Sequence, residues 1–115
     1  MADRLTNRFK MYATSLADTD LTTILTATDS SIHIIGSIII ANTHATDSAK
    51  ITMKVNDNDQ ATDFNLLTNE EFTAGLAREM LHRPIILENL DSLKMQADTA
   101  NIFDVLVSYL DRSRN

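Results

Sequence analysis

The stretch that decides the fold is Asp91-Ser92-Leu93-Lys94-Met95-Gln96-Ala97-Asp98, followed by Thr99-Ala100-Asn101 and then Ile102-Phe103-Asp104-Val105-Leu106-Val107-Ser108-Tyr109. In the first run Leu93, Met95 and Ala97 share one face, while Ser92, Lys94, Gln96 and Asp98 share the other. In the second, Phe103, Val105, Val107 and Tyr109 fall on a single face. Side chains alternate across a strand, so a period of two marks two strands, each with one buried face. The polar break between them has the length of a hairpin loop. The segment therefore reads as the closing hairpin of a small antiparallel sandwich.

Working outward, residues 85–87 form a strand fragment and Glu88-Asn89-Leu90-Asp91 a turn. Asp91 has the chemistry to accept backbone N–H groups and set how the chain enters the next strand. Residues 49–56 alternate, with Ile51, Met53 and Val55 inward and Lys50, Thr52 and Lys54 outward. Asn56-Asp57-Asn58-Asp59-Gln60 is a turn, and residues 63–67 are another strand. Residues 31–42 are the most strongly strand-forming, with isoleucines on both sides of Gly36. Both faces of that strand need a cover: one is the domain's own core, and the other suits a partner. A mid-strand glycine predicts a bulge or bend, as where a strand passes from one sheet to the other. Residues 21–27 and 8–14 complete the strands.

Residues 70–82 read two ways. Phe72, Leu76 and Met80 are spaced by four, which fits a short helix near residues 70–76. Alternation over residues 77–82 fits a strand, and Pro84 biases Arg83 away from helix. The whole reads as an all-β, jelly-roll-like antiparallel sandwich of about eight short strands. A loose arm at residues 1–7 precedes a single domain at residues 8–112, and 115 residues suffice for one core but not two.

Fourteen threonines favour strands, and with only two glycines and one proline the turns must use Asn, Asp, Ser and Thr. The net charge of -6 argues against nucleic acid and against an anionic membrane surface. Basic residues gather only near the ends, at Arg4, Arg8 and Lys10 and at Arg112 and Arg114. There is no cysteine, which excludes disulfides and thiolate zinc sites and suits a reducing cytoplasm. The first residues lack the apolar run of a secretion signal.

Chemistry-bearing constellations are weak. Asp57, Asp59 and Asp63 imitate part of a calcium loop, but Thr62 and Thr68 stand where that loop needs Gly and Glu. His33, His44 and His82 lack metal-ligand spacing. Ser37 follows Gly36, yet no Gly-x-Ser-x-Gly elbow surrounds it. Neither an enzyme nor a cofactor is expected.

Several segments resemble a recurring type of small virion protein of tailed bacteriophages: Ser37-Ile38-Ile39-Ile40-Ala41-Asn42, Ala49-Lys50-Ile51-Thr52-Met53, the run from Pro84 to Ala97, and Asp104-Val105-Leu106-Val107-Ser108-Tyr109. Asn89-Leu90-Asp91 stands where a Gly-Asp step is commoner. The resemblance implies a homo-oligomeric subunit, trimer or ring, at the neck or tail, touching portal, tail or major capsid proteins. It is assembled in the host bacterial cytoplasm. Capsid decoration is the alternative, and a carbohydrate-binding module the further one. The residues expected at subunit contacts are Arg4, Arg8, Lys10, Ile38, Ile40 and Leu106. Leu106 is chosen because an apolar residue beside Asp104 and Ser108 on the outward face needs a cover.

Overall fold

The structure, a computed structural model, describes the backbone of residues 5–114 and the side chains of residues 6–113. Its strands are β1 (Leu5–Ser15), β2 (Thr22–Thr26), β3 (Ser31–Asn42), β4 (Ala49–Asp57), β5 (Thr62–Phe72), β6 (Ala77–Glu79), β7 (Ile85–Glu88), β8 (Ser92–Ala97) and β9 (Phe103–Arg114). One sheet runs β1-β9-β3-β6, with β7 also on β3, and the other runs β2-β8-β4-β5. Consecutive strands change sheet at every connection except β4–β5 and β6–β7. This strand order is that of a jelly roll, with β6 and β7 sharing the place of one strand.

The closing segment corrects the simplest reading of its alternation. β8 bonds to β2 and β4, while β9 bonds to β1 and β3, so the two are not a hairpin. Residues 98–102 carry the chain across the sandwich instead. Leu93, Met95 and Ala97 face Phe103, Val105 and Val107 from the opposite layer, and all six are buried. Both arrangements satisfy a period of two, because periodicity specifies which face is buried and not which strand is bonded.

The isoleucine strand carries a bulge and presents isoleucines on both faces. The register of β3 on β9 shifts between Ile35 and Ser37. His33 and Ile35 point inward before it, and Ile38, Ile40 and Asn42 after it. One extra residue flips the parity, so Ile35 before it and Ile38 and Ile40 after it all face the core, while Ile32, Ile34 and Ile39 lie on the outer face. The strand does not change sheets. The bulge is stitched by Glu79, whose carboxylate accepts the Ser37 hydroxyl, the Ile38 N–H at 2.8 Å and the Leu81 N–H at 3.1 Å. Burial alone would raise the Glu79 carboxyl, but these donors outweigh it and hold it below the ordinary range.

The helix near residues 70–76 is absent. β5 runs through Glu70 and Glu71 to Phe72, and Leu76 N–H then returns to the Thr73 carbonyl at 3.1 Å. Gly75, at φ 74°, supplies the left-handed residue of that turn. Phe72 is fully buried and Leu76 and Met80 pack against the core, so spacing by four arises here from strand, turn and strand. β1 begins at Leu5, so residues 5–7 are strand rather than loose arm; residues 1–4 of that expected arm lie outside the described residues. At the core's centre the Phe72 and Phe103 rings meet edge to face, 5.6 Å apart.

Candidate interaction surface

The outer face of the β1-β9-β3 sheet carries apolar residues in rows. Directly opposed residues of an antiparallel pair share a face. Phe9 opposes Leu110, Leu110 opposes Ile34, and Ile34 opposes Ile86. Four strands therefore contribute one continuous apolar ladder. Phe9 is 90% exposed and Ile86 59%, while Leu110 and Ile34 between them are half-buried. Met11, 65% exposed, lies on the same face of β1. Phe9, Met11, Ile34 and Leu110 help line an open concavity of about 540 Å³. Gly36 is also in its lining, and a side chain there would meet nothing within 4 Å.

Adjacent rows frame the ladder. On one side Arg112, Ile32 and Glu88 are in register across β9, β3 and β7. Arg112 and Glu88 are exposed, and no ion pair joins them. Farther along, Ala13, Leu106, Ile39 and Glu79 form a second row. A chain that leaves its outer sheet face to water normally alternates polar residues there. Here the outer face carries Phe9, Met11, Ile39 and Ile86 exposed instead, which makes it the candidate interaction surface.

Behind β1, on the inner face, Lys10 Nζ lies 3.1 Å from Asp111 Oδ2, and His33 Nε2 is 3.5 Å from Asp111 Oδ1. Ser113 donates to Asp111 at 2.7 Å. This cluster ties β1, β9 and β3 together. Burial depresses the His33 imidazole, with Asp111 opposing and Lys10 reinforcing that shift. Burial would raise the Asp111 carboxyl, but the donors Ser113 and Lys10, with the His33 and Lys10 charges, lower it on balance. His33 Nδ1 is buried without a partner. Its ring lies 5.0 Å from that of Tyr109.

Among the described residues no group of three or more His, Asp or Glu is placed to hold a metal ion. Asp57 instead accepts within its own turn, from the Asp59 N–H and the Gln60 amide. His44 Nδ1 accepts the Thr46 and Asp47 N–H groups at 3.1 and 2.9 Å and so shapes a loop. Asp91 joins two turns: Oδ1 accepts the Asn58 N–H at 2.9 Å and Oδ2 the Glu88 N–H at 3.3 Å.

The contact residues expected from sequence fall in three places. Ile38 and Ile40 are 0% exposed, so they belong to the core and offer nothing to a neighbour. The bulge hands the outward position to Ile39, 37% exposed. Leu106 does lie on the outer face, half-buried between Ala13 and Ile39. Arg8 and Lys10 lie on the inner-facing side of β1, and Lys10 is engaged with Asp111. Arg4 is outside the described residues. Phe9, Ile34, Ile86 and Leu110, which form the apolar ladder, were not among the expected residues. Their signal was present: Phe9 and Met11 alternate against Arg8 and Lys10, and Ile85-Ile86-Leu87 is apolar on both faces of a short strand.

No protein-family model matches this sequence, and no curated protein does. Solved structures do match in shape. The chain of infectious bursal virus-derived T=1 particles aligns with a TM-score of 0.51 at 9% identity over 96% of this chain and 31% of that one. The structure of infectious bursal disease virus, Gx strain, aligns with a TM-score of 0.50 at 12% identity over 96% and 32%. This chain thus spans about a third of the length of the chains it matches. At such identities the likeness establishes the fold: a two-sheet antiparallel β-sandwich of a kind also found in virus-particle proteins.

Proposed function

We propose that this chain is a non-catalytic structural subunit of a virus particle that assembles with copies of itself. The observation that carries the reading is the Phe9–Leu110–Ile34–Ile86 ladder on the outer face of a jelly-roll sandwich. A continuous apolar face suits a subunit whose work is contact. The fold's occurrence in virus-particle chains supports the same class. Fold alone does not fix function, so the surface carries the argument.

Within that class the sequence resemblance favours a ring or trimer at the neck or tail of a tailed bacteriophage. There it contacts portal, tail or capsid proteins after assembly in the bacterial cytoplasm. Decoration of the capsid is the second reading, favoured by the likeness to particle-forming chains. A carbohydrate platform fits less well: Tyr109 packs against the core and His33, and Tyr12 stands on an edge strand. Gold-labelled antibody against this chain, applied to purified particles, tests the reading. Labelling at one vertex supports neck or tail, and labelling over the shell supports decoration. Particles without label, from lysates rich in the protein, overturn both.

A further inference from the structure

We infer that the outer face of the β1-β9-β3-β7 sheet docks on the same face of a second copy, about a two-fold axis running along β3. The inference rests on the reading of this chain as a self-assembling subunit and names the contact. Its basis is charge placement. Arg112 on β9 and Glu88 on β7 both oppose Ile32 on the strand between them. Strands are spaced by about 4.8 Å, so the two backbones stand about 10 Å apart, one on each flank of β3. Neither side chain has an ion-pair partner within its own subunit among the described residues.

A two-fold along β3 exchanges the flanks. Arg112 of each copy then faces Glu88 of the other, and the pair forms twice. By the same operation Leu110 faces Ile86 of the second copy, and Ile34 faces its own counterpart. Phe9, one strand farther out, closes over the exposed side of Ile86 of the second copy. The apolar ladder becomes the centre of the contact and the charged row its rim, which is the usual anatomy of a specific interface. An isologous contact needs such a self-complementary patch. Packed sheets are rotated by about 30°, and the long Arg and Glu side chains span the resulting offset. Edge pairing of β1 with β1 is disfavoured, since Arg8 and Lys10 would bring like charges together.

The test is sedimentation equilibrium of the full chain over a concentration series. Wild type associates to a dimer or to an even-numbered assembly. R112E alone and E88R alone each weaken association by about tenfold or more, because each creates two like-charge contacts. The double variant R112E/E88R recovers it, because the swapped charges meet again across the axis. I86K, changing an exposed residue, removes association while circular dichroism remains that of the wild type. Association that ignores all three single changes, or a double variant weaker than either charge reversal, overturns the contact and leaves self-assembly standing. A wild type that stays monomeric at millimolar concentration also overturns the contact. Labelling of particles then decides separately whether the broader reading survives.

Discussion

Asn42 Nδ2 donates to the Phe72 carbonyl at 2.9 Å, fastening the end of β3 in one sheet to the end of β5 in the other. The same amide donates to the Asp47 carbonyl at 2.9 Å, and its Oδ1 accepts the His44 N–H at 2.9 Å. Asn42 is only 2% exposed, so these bonds replace water that cannot reach it. This gives a physical role to the Ala-Asn strand ending. Asn42→Leu keeps the volume but strands buried partners, and is expected to cost about 2–3 kcal/mol. Urea unfolding measures it; a loss below about 0.5 kcal/mol would show that the two ends are joined by packing alone.

The core assignment of the isoleucine strand is testable by contrast. Ile40→Ala empties a fully buried site and is expected to cost about 2–4 kcal/mol. Ile39→Ala, on the neighbouring outward position, is expected to cost under about 1 kcal/mol. Equal costs from the two changes in denaturant titrations would mean that the bulge does not invert the strand's parity.

Turn chemistry leaves room for improvement at Leu90. It holds φ at 70° and is 47% exposed, so it pays for a left-handed backbone with little packing in return. Leu90→Gly relieves that strain, partly offset by the freer unfolded chain, for a net gain of about 0.5 kcal/mol. Asp91→Ala, next to it, removes the acceptor for Asn58 and Glu88 and is expected to cost about 1–2 kcal/mol. Thermal denaturation should move the two variants in opposite directions.

Stability should fall on acidification through two groups in sequence. His33 titrates below its ordinary 6.5 in the folded chain, so the unfolded chain binds the extra proton first. Its contribution is full above about pH 6.5 and declines as pH drops toward the depressed folded value. Asp111 is depressed below 3.8, so its contribution is full above that value and lost as pH falls through its folded value. Melting temperatures of wild type should therefore drop between pH 7 and 5, and His33→Leu should flatten that part of the curve. An unchanged slope in His33→Leu would assign the effect to other groups.

The legible and the illegible parts of this chain divide along a physical line. The inward residues of β4, β8 and β9 were readable from a period of two, as were most turns and the bulge at Gly36. Each depends on neighbours in sequence. The partners of β8 and β9 were not readable, because an arch between sheets and a hairpin bury the same alternating faces. The helix expected near residues 70–76 failed for a related reason: a turn at Gly75 reproduces a spacing of four without helical geometry.

The candidate interaction surface divides in the same way. The outward position of Leu106 was legible because its polar strand neighbours exposed the mismatch locally. Ile38 and Ile40 were misplaced because a bulge one residue earlier changes which parity faces the core. The ladder of Phe9, Leu110, Ile34 and Ile86 joins residues as far apart as Phe9 and Leu110, so no local pattern displays it as one row. The sequence by itself determined an all-β sandwich with strands of defined faces, since alternation and turn residues act over a few positions. Only the tertiary structure decided which strands pair, which isoleucines are buried and where the apolar face gathers, because hydrogen-bond register connects residues that the chain keeps far apart.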